Sequence, residues 1–250
     1  MHGLVSVTFR KLNYKEIVEL CNKAGIHCIE WGGDIHVPTG DYEKAAEVGA
    51  YSRAHGIHTF SYGSYYFLCK SAKEGMRFST VLNTAQALGC STIRIWAGNQ
   101  GSSSSSDTYF HEAVSELKEI CSTAQKHQIK IALEYHPNTL TDNKESALRL
   151  VKSVDSPNLF LYWQPNPDIS LDERIRELNL LKPYICNVHV FSWEIGGIRY
   201  PLSHGTKEWH KYLKIIDTPE IPYMLEFVKD DSEEQFLDDA ETLKRILSKC

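Results

Sequence analysis

The chain of 250 residues is 42% hydrophobic and 24% charged, a balance that supplies a sizeable buried core and excludes a tail or linker. Its 27 basic and 32 acidic side chains leave a formal net charge of −5; with no basic run, this argues against a nucleic-acid partner. Seven scattered cysteines without a C-x-x-C pair fit thiols in a reducing compartment. Neither the start "MHGLVSVTFR" nor any later stretch has the apolar length of a signal peptide or a membrane span, so the expectation is a cytoplasmic protein with no membrane partner.

Eight short β-like runs follow one another along the chain: "LVSVTF", "IHCIEW", "IHTFSYG", "TIRIWAG", "IKIALEY", "NLFLYWQ", "ICNVHVFS" and "PYMLEFV". Between them lie apolar residues at helical spacing, such as Ile17, Leu20, Cys21 and Ala24, or Val114, Leu117, Cys121 and Ala124. Strand and helix in alternation imply parallel strands, because a parallel pair needs a crossover long enough to hold a helix. Eight units in this length predict one (β/α)8 barrel over residues 1–250, in preference to an open doubly wound sheet.

Glycines just past helix ends, in "AGIH", "HGIH" and "LGCSTI", supply left-handed caps before the next strand and mark tight loops on one rim. The loops after the strands are longer and richer: "GGDIHVPTGD", "GNQGSSSSSD", "HPNTLTDN" and "WEIGGIRYPLSHGTKEW". In a barrel the active site lies on that second face. The serine run reads as a flexible loop ending in a helix N-cap at or near Asp107, with a substrate lid as the alternative.

Four tryptophans fall at strand ends: Trp31, Trp96, Trp163 and Trp193. They form either an aromatic wall against a ligand or a plug in the barrel mouth. The last four strands end in polar residues, namely Glu134, Gln164, His189 and Glu226. A carboxylate inside an apolar run is costly unless it is paired or bound to a cation. Together the four make a shell for a divalent ion, Mn²⁺, Mg²⁺ or Zn²⁺ by ligand type. In "LYWQPNP", Pro165 and Pro167 stop the ladder and fix the exit path from the strand that carries Gln164.

These endings resemble the xylose isomerase-like (β/α)8 superfamily, which includes sugar isomerases, ketose 3-epimerases, inosose dehydratases and endonuclease IV. "AGIHCIEWGGDIHVP" is similar to its early helix, strand and loop, "IKIALEYHPNTLTD" to its first metal-glutamate strand, and "NVHVF" with "PLSHGTKEW" to its metal-histidine strand and following loop. "YMLEFVKDDSEEQFLDDAETLKRIL" resembles its last strand and helix. The resemblance implies a metal shell of Glu134, Gln164, His189 and Glu226, with Gln164 standing where the family usually has aspartate. A neutral amide there removes one negative charge and weakens the hold on a cation.

The resemblance further implies a sugar isomerase or epimerase in which Glu134 and Glu226 move protons beside a carbonyl while the metal steadies the charge. His36, Arg94 and His136 would orient hydroxyls or a developing oxyanion, or else serve as loop caps and an internal ion pair. The alternatives are a lyase, dehydratase or deglycosidase acting on an inosose or 3-keto sugar, and a sugar-binding barrel without chemistry. The expected partner is a small-molecule sugar, and a homo-oligomer is compatible with the sequence.

Overall fold

The computed structural model describes residues 1–218 and 220–248. In chain order the elements are β1 (His2–Val5), α1 (Tyr14–Ala24), β2 (Cys28–Gly32), α2 (Tyr42–Ala54), β3 (His58–Phe67), α3 (Phe78–Leu88), β4 (Thr92–Trp96), α4 (Asp107–Lys126) and β5 (Lys130–Glu134). There follow α5 (Lys144–Val154), β6 (Leu159–Trp163), α6 (Leu171–Leu181), β7 (Ile185–Val190), a hairpin of β8 (Trp193–Glu194) and β9 (Ile198–Arg199), α7 (Thr206–Ile216), β10 (Tyr223–Leu225) and α8 (Glu233–Leu247). Eight strands close a parallel barrel in the order β1-β10-β7-β6-β5-β4-β3-β2. This is the (β/α)8 architecture that the alternation predicts.

Local chemistry sets the boundaries. Asn13 and Glu16 form a capping box at the start of α1, which satisfies backbone donors that the first turn leaves unpaired. Ser106, one residue before Asp107, caps α4 by accepting from the Tyr109 N–H. Gly25 and Gly89 end α1 and α3 at φ of 60° and 82°, conformations that side chains with a Cβ resist.

One expected strand is shorter than its apolar run suggests. In "LVSVTF" the strand stops at Val5, and Ser6–Phe9 turn into a 3-10 helix. The cause is polar: Ser6 Oγ accepts from the Gly32 N–H at 2.8 Å and Thr8 Oγ1 from the Phe227 N–H at 3.0 Å. These bonds tie the segment after β1 to the end of β2 and to the loop after β10 and draw it out of the ladder.

The main apolar core lies between the barrel and its helices. Inside the barrel the apolar side chains of the described residues form two small groups, one around Val5, Cys28 and Met224 and one around Ala132, Tyr162 and Cys186. Between them and the mouth lie the buried polar residues Glu30, Ser61, Arg94, Asn187 and His189. Six of the seven cysteines are buried free thiols, while Cys250 lies outside the described residues. Among the described residues no helix is long and apolar enough to cross a membrane.

Candidate active site

The ends of β5, β7 and β10 bring Glu134, His189 and Glu226 together. Their ligand atoms all lie within 4.8 Å of one another, and all three residues are buried. His189 Nδ1 stands 3.2 Å from Glu226 Oε2 and 4.0 Å from Glu134 Oε1. The fourth expected ligand joins them, with Gln164 Oε1 3.4 Å from the same Nδ1. Gln164 Nε2 donates to the Tyr135 carbonyl at 3.0 Å, which turns the amide oxygen toward the cluster. Two carboxylates, an imidazole nitrogen and an amide oxygen converging in a buried pocket fit a divalent cation in number and chemistry.

Arg94, inside β4, links the cluster to the barrel interior. Its Nε donates to Glu30 Oε1 at 2.9 Å, and its Nη1 pairs with Glu134 Oε2. Glu30 Oε2 also accepts from Ser61 Oγ at 2.7 Å. A Cβ on Gly63 would lie 2.6 Å from Glu30 Oε1 and 2.7 Å from Arg94 Nη2, so the pair needs glycine on the neighbouring strand. Glu30 is absent from the set proposed on sequence, although "IHCIEW" carries the same signal as "ALEYHP": a carboxylate inside an apolar run that must find a partner.

Charge couples these groups. Burial alone lowers the His189 imidazole, but Glu226 and Glu134 outweigh it and push it up to about 9. Burial raises the Glu226 carboxyl, yet His189 and Arg94 hold it below its ordinary value. Burial likewise opposes the Arg94 guanidinium, and Glu134 and Glu30 drive it upward.

A cavity of about 490 Å³ opens over the cluster and is bordered by Glu134, Glu226, Gln164, Arg94 and His136. Two aromatic walls flank it. Tyr65 and Trp96 stand at the β3 and β4 ends, with Phe67 stacked on Trp96 at 5.2 Å and His136 edge-on to it at 4.8 Å. Phe191, Trp193 and Phe227 follow β7 and β10, with Phe191 and Trp193 stacked at 4.2 Å. In the ring of eight strands these two pairs lie across the barrel from each other.

The expected wall of four indoles is therefore corrected to two. Trp31 and Trp163 are fully buried away from the cavity, and Trp163 packs against Trp209 and Tyr212 of α7. Strand alternation is the cause: Glu30 and Gln164 point inward, so the adjacent Trp31 and Trp163 point to the helices. His36 also lies off the cavity lining. Its ring bonds Ser6 Oγ at 3.0 Å and the Leu12 carbonyl at 3.2 Å, a loop cap in place of a hydroxyl contact. The serine loop is tied to the loop after β5, with the Ser102 N–H on Asp142 at 2.9 Å and Asn143 on Ser102 Oγ at 2.7 Å.

A parallel eight-stranded barrel with a buried Glu, His and Glu cluster at the carboxyl ends of its strands defines a barrel whose mouth can hold a metal ion. The chain belongs to the xylose isomerase-like TIM barrel family, whose profile matches residues 18–246. It is similar to the 3-dehydroshikimate dehydratase of Bacillus anthracis, 36% identical over 103 residues. That match covers 39% of this chain and 35% of the dehydratase, so it spans about a third of the relative's length. In fold it is similar to the crystal structure of the probable 3-DHS dehydratase AsbF, involved in petrobactin synthesis in Bacillus anthracis: TM-score 0.82, 20% identity, 97% of this chain and 98% of that one. The IolI protein with a bound zinc atom aligns at TM-score 0.77 and 19% identity, over 98% of this chain and 97% of that one. At such identities these structures carry the fold alone.

Proposed function

We propose that this protein is a lyase that removes a proton beside the carbonyl of a cyclic, polyhydroxylated ketone and expels water from the neighbouring carbon. The observation that carries the reading is the inequality of the two glutamates. Glu134 is pinned by the Arg94 guanidinium, whereas Glu226 faces His189 without a guanidinium contact of its own. One oxygen of Glu134 is committed to a fixed guanidinium, whereas the imidazole beside Glu226 gives up its proton when it takes a cation, so Glu226 is assigned as the proton acceptor. The likeness to a dehydratase supports the same outcome.

A divalent ion held by Glu134, Gln164, His189 and Glu226 would supply Lewis-acid polarisation of the substrate oxygens. Glu226 takes the proton from carbon, a carbon–carbon double bond forms, the adjacent carbon–oxygen bond breaks, and the proton leaves with that oxygen as water. Arg94 and His136 border the cavity and would stabilise the negative charge that grows on the carbonyl oxygen. The facing aromatic walls suit a ring with apolar faces.

A second reading, isomerisation or epimerisation, is favoured by the presence of both Glu134 and Glu226 at one mouth. Incubation with inososes, 3-keto glycosides, ketoses and aldoses in D₂O separates the two. The lyase reading predicts a dehydrated, conjugated enone. A product of unchanged composition carrying deuterium beside the carbonyl supports the second reading and overturns the first.

A further inference from the structure

We infer that Glu30, buried beneath the cavity, sets the charge of the cation site: by neutralising Arg94 it leaves the carboxylates above with the two negative charges that a divalent ion requires. The inference rests on reading the Glu134, His189 and Glu226 cluster as a divalent site, and its test separates the two claims.

Glu30 is fully buried and is not itself among the residues that border the cavity. Its two oxygens are taken by Arg94 Nε at 2.9 Å and Ser61 Oγ at 2.7 Å. A carboxylate buried this deeply is costly unless its charge has a use or a partner. Arg94 is the partner, and Arg94 also pairs with Glu134. Without Glu30 the guanidinium would cancel the charge of Glu134, and the cluster would meet a divalent ion with one net negative charge.

With Glu30 in place, three carboxylates stand against one guanidinium, His189 binds as a neutral imidazole, and Gln164 adds no charge. Two negative charges then face two positive ones. Glu30 thus restores from below the charge that an acidic residue at position 164 would supply from beside the ion. It is a positioning residue: it acts through Arg94 and touches neither ion nor substrate.

The test is titration of metal-stripped protein with Mn²⁺ and with Zn²⁺, read as the dissociation constant. Glu30→Gln keeps an acceptor oxygen for Arg94 and turns an N–H toward Ser61 Oγ, which can accept it, but removes the charge, and should weaken binding of both ions roughly tenfold. Gln164→Asp in the Glu30→Gln background should return affinity to within about threefold of the parent. A purely structural Glu30 would leave the double variant as weak as the single one. Affinity unchanged in Glu30→Gln, or unrestored in the double variant, overturns the inference while leaving the metal site standing. A parent protein that binds neither ion overturns both. Should Glu30→Gln fail to fold, Glu30→Gln with Arg94→Gln removes both buried charges together. Parent-like affinity supports the inference, and loss of binding overturns it.

Discussion

His189 Nδ1 lies 3.2 Å from Glu226 Oε2, and this contact makes the imidazole both a base and a ligand held in check by a proton. Pushed up to about 9, the ring is protonated across the neutral range in the metal-free protein. A cation can bind Nδ1 only by displacing that proton. Apparent affinity for Zn²⁺ should therefore rise about tenfold per pH unit between 6.5 and 9, and calorimetry in buffers of different ionisation heat should show about one proton released. The stability of the stripped protein should run the other way. A raised histidine stabilises the fold fully below its ordinary value of 6.5 and loses that contribution as pH rises through 9. A pH-independent dissociation constant would contradict this.

The two glutamates should fail differently. Glu226→Gln removes the proton acceptor, and turnover should fall by about 10²-fold or more even when metal occupancy is restored by excess ion. Glu134→Gln keeps that acceptor and loses mainly a ligand charge, so raising the metal concentration should recover a larger share of activity. Equal, irrecoverable losses in both variants would favour two-base proton transfer and hence the isomerase reading.

Two indoles, alike in sequence position, should answer to different assays. Trp163 is buried against Trp209 and Tyr212, so Trp163→Ala should cost about 3–5 kcal/mol in chemical denaturation. Trp193 lines the cavity, so Trp193→Ala should raise KM several-fold and change stability far less. Reversed assignments would mean that the aromatic wall is misplaced.

Glu177 on α6 accepts from the Tyr135 hydroxyl at 2.5 Å. Burial pushes its carboxyl up to about 7, against the pull of that hydrogen bond and of Lys144. The fold thus binds a proton that the unfolded chain releases near 4.5, and this stabilisation, complete below 4.5, disappears as pH rises through 7. Glu177→Gln should leave stability unchanged at pH 4.5 and raise it by up to about 3 kcal/mol at pH 8. Equal effects at the two pH values would refute the account of this carboxyl.

What the sequence made legible follows from what carries a periodic or costly signal. Eight apolar runs separated by helical spacing identify the barrel, because parallel strands demand crossovers. Glu134, Gln164, His189 and Glu226 stand out because each interrupts an apolar run at its end, and the fold brings them together. Trp31 and Trp163 were harder to place. Whether a residue at a strand end faces the cavity or the helices depends on a one-residue register, and the inward positions belong to Glu30 and Gln164. Glu30 was legible in principle, but its partner Arg94 lies 64 positions away, a pairing that only the closed barrel creates. His36 looks like a site residue on a rich loop and becomes a cap because Ser6 and the Leu12 carbonyl reach it first.

The central claim is tested most directly by anomalous scattering at the manganese edge from crystals grown with Mn²⁺. The account predicts one strong peak at the cluster, within bonding distance of Glu134, His189 Nδ1, Glu226 and Gln164 Oε1. A peak elsewhere, or a fully ordered pocket with no peak at millimolar Mn²⁺, would contradict it.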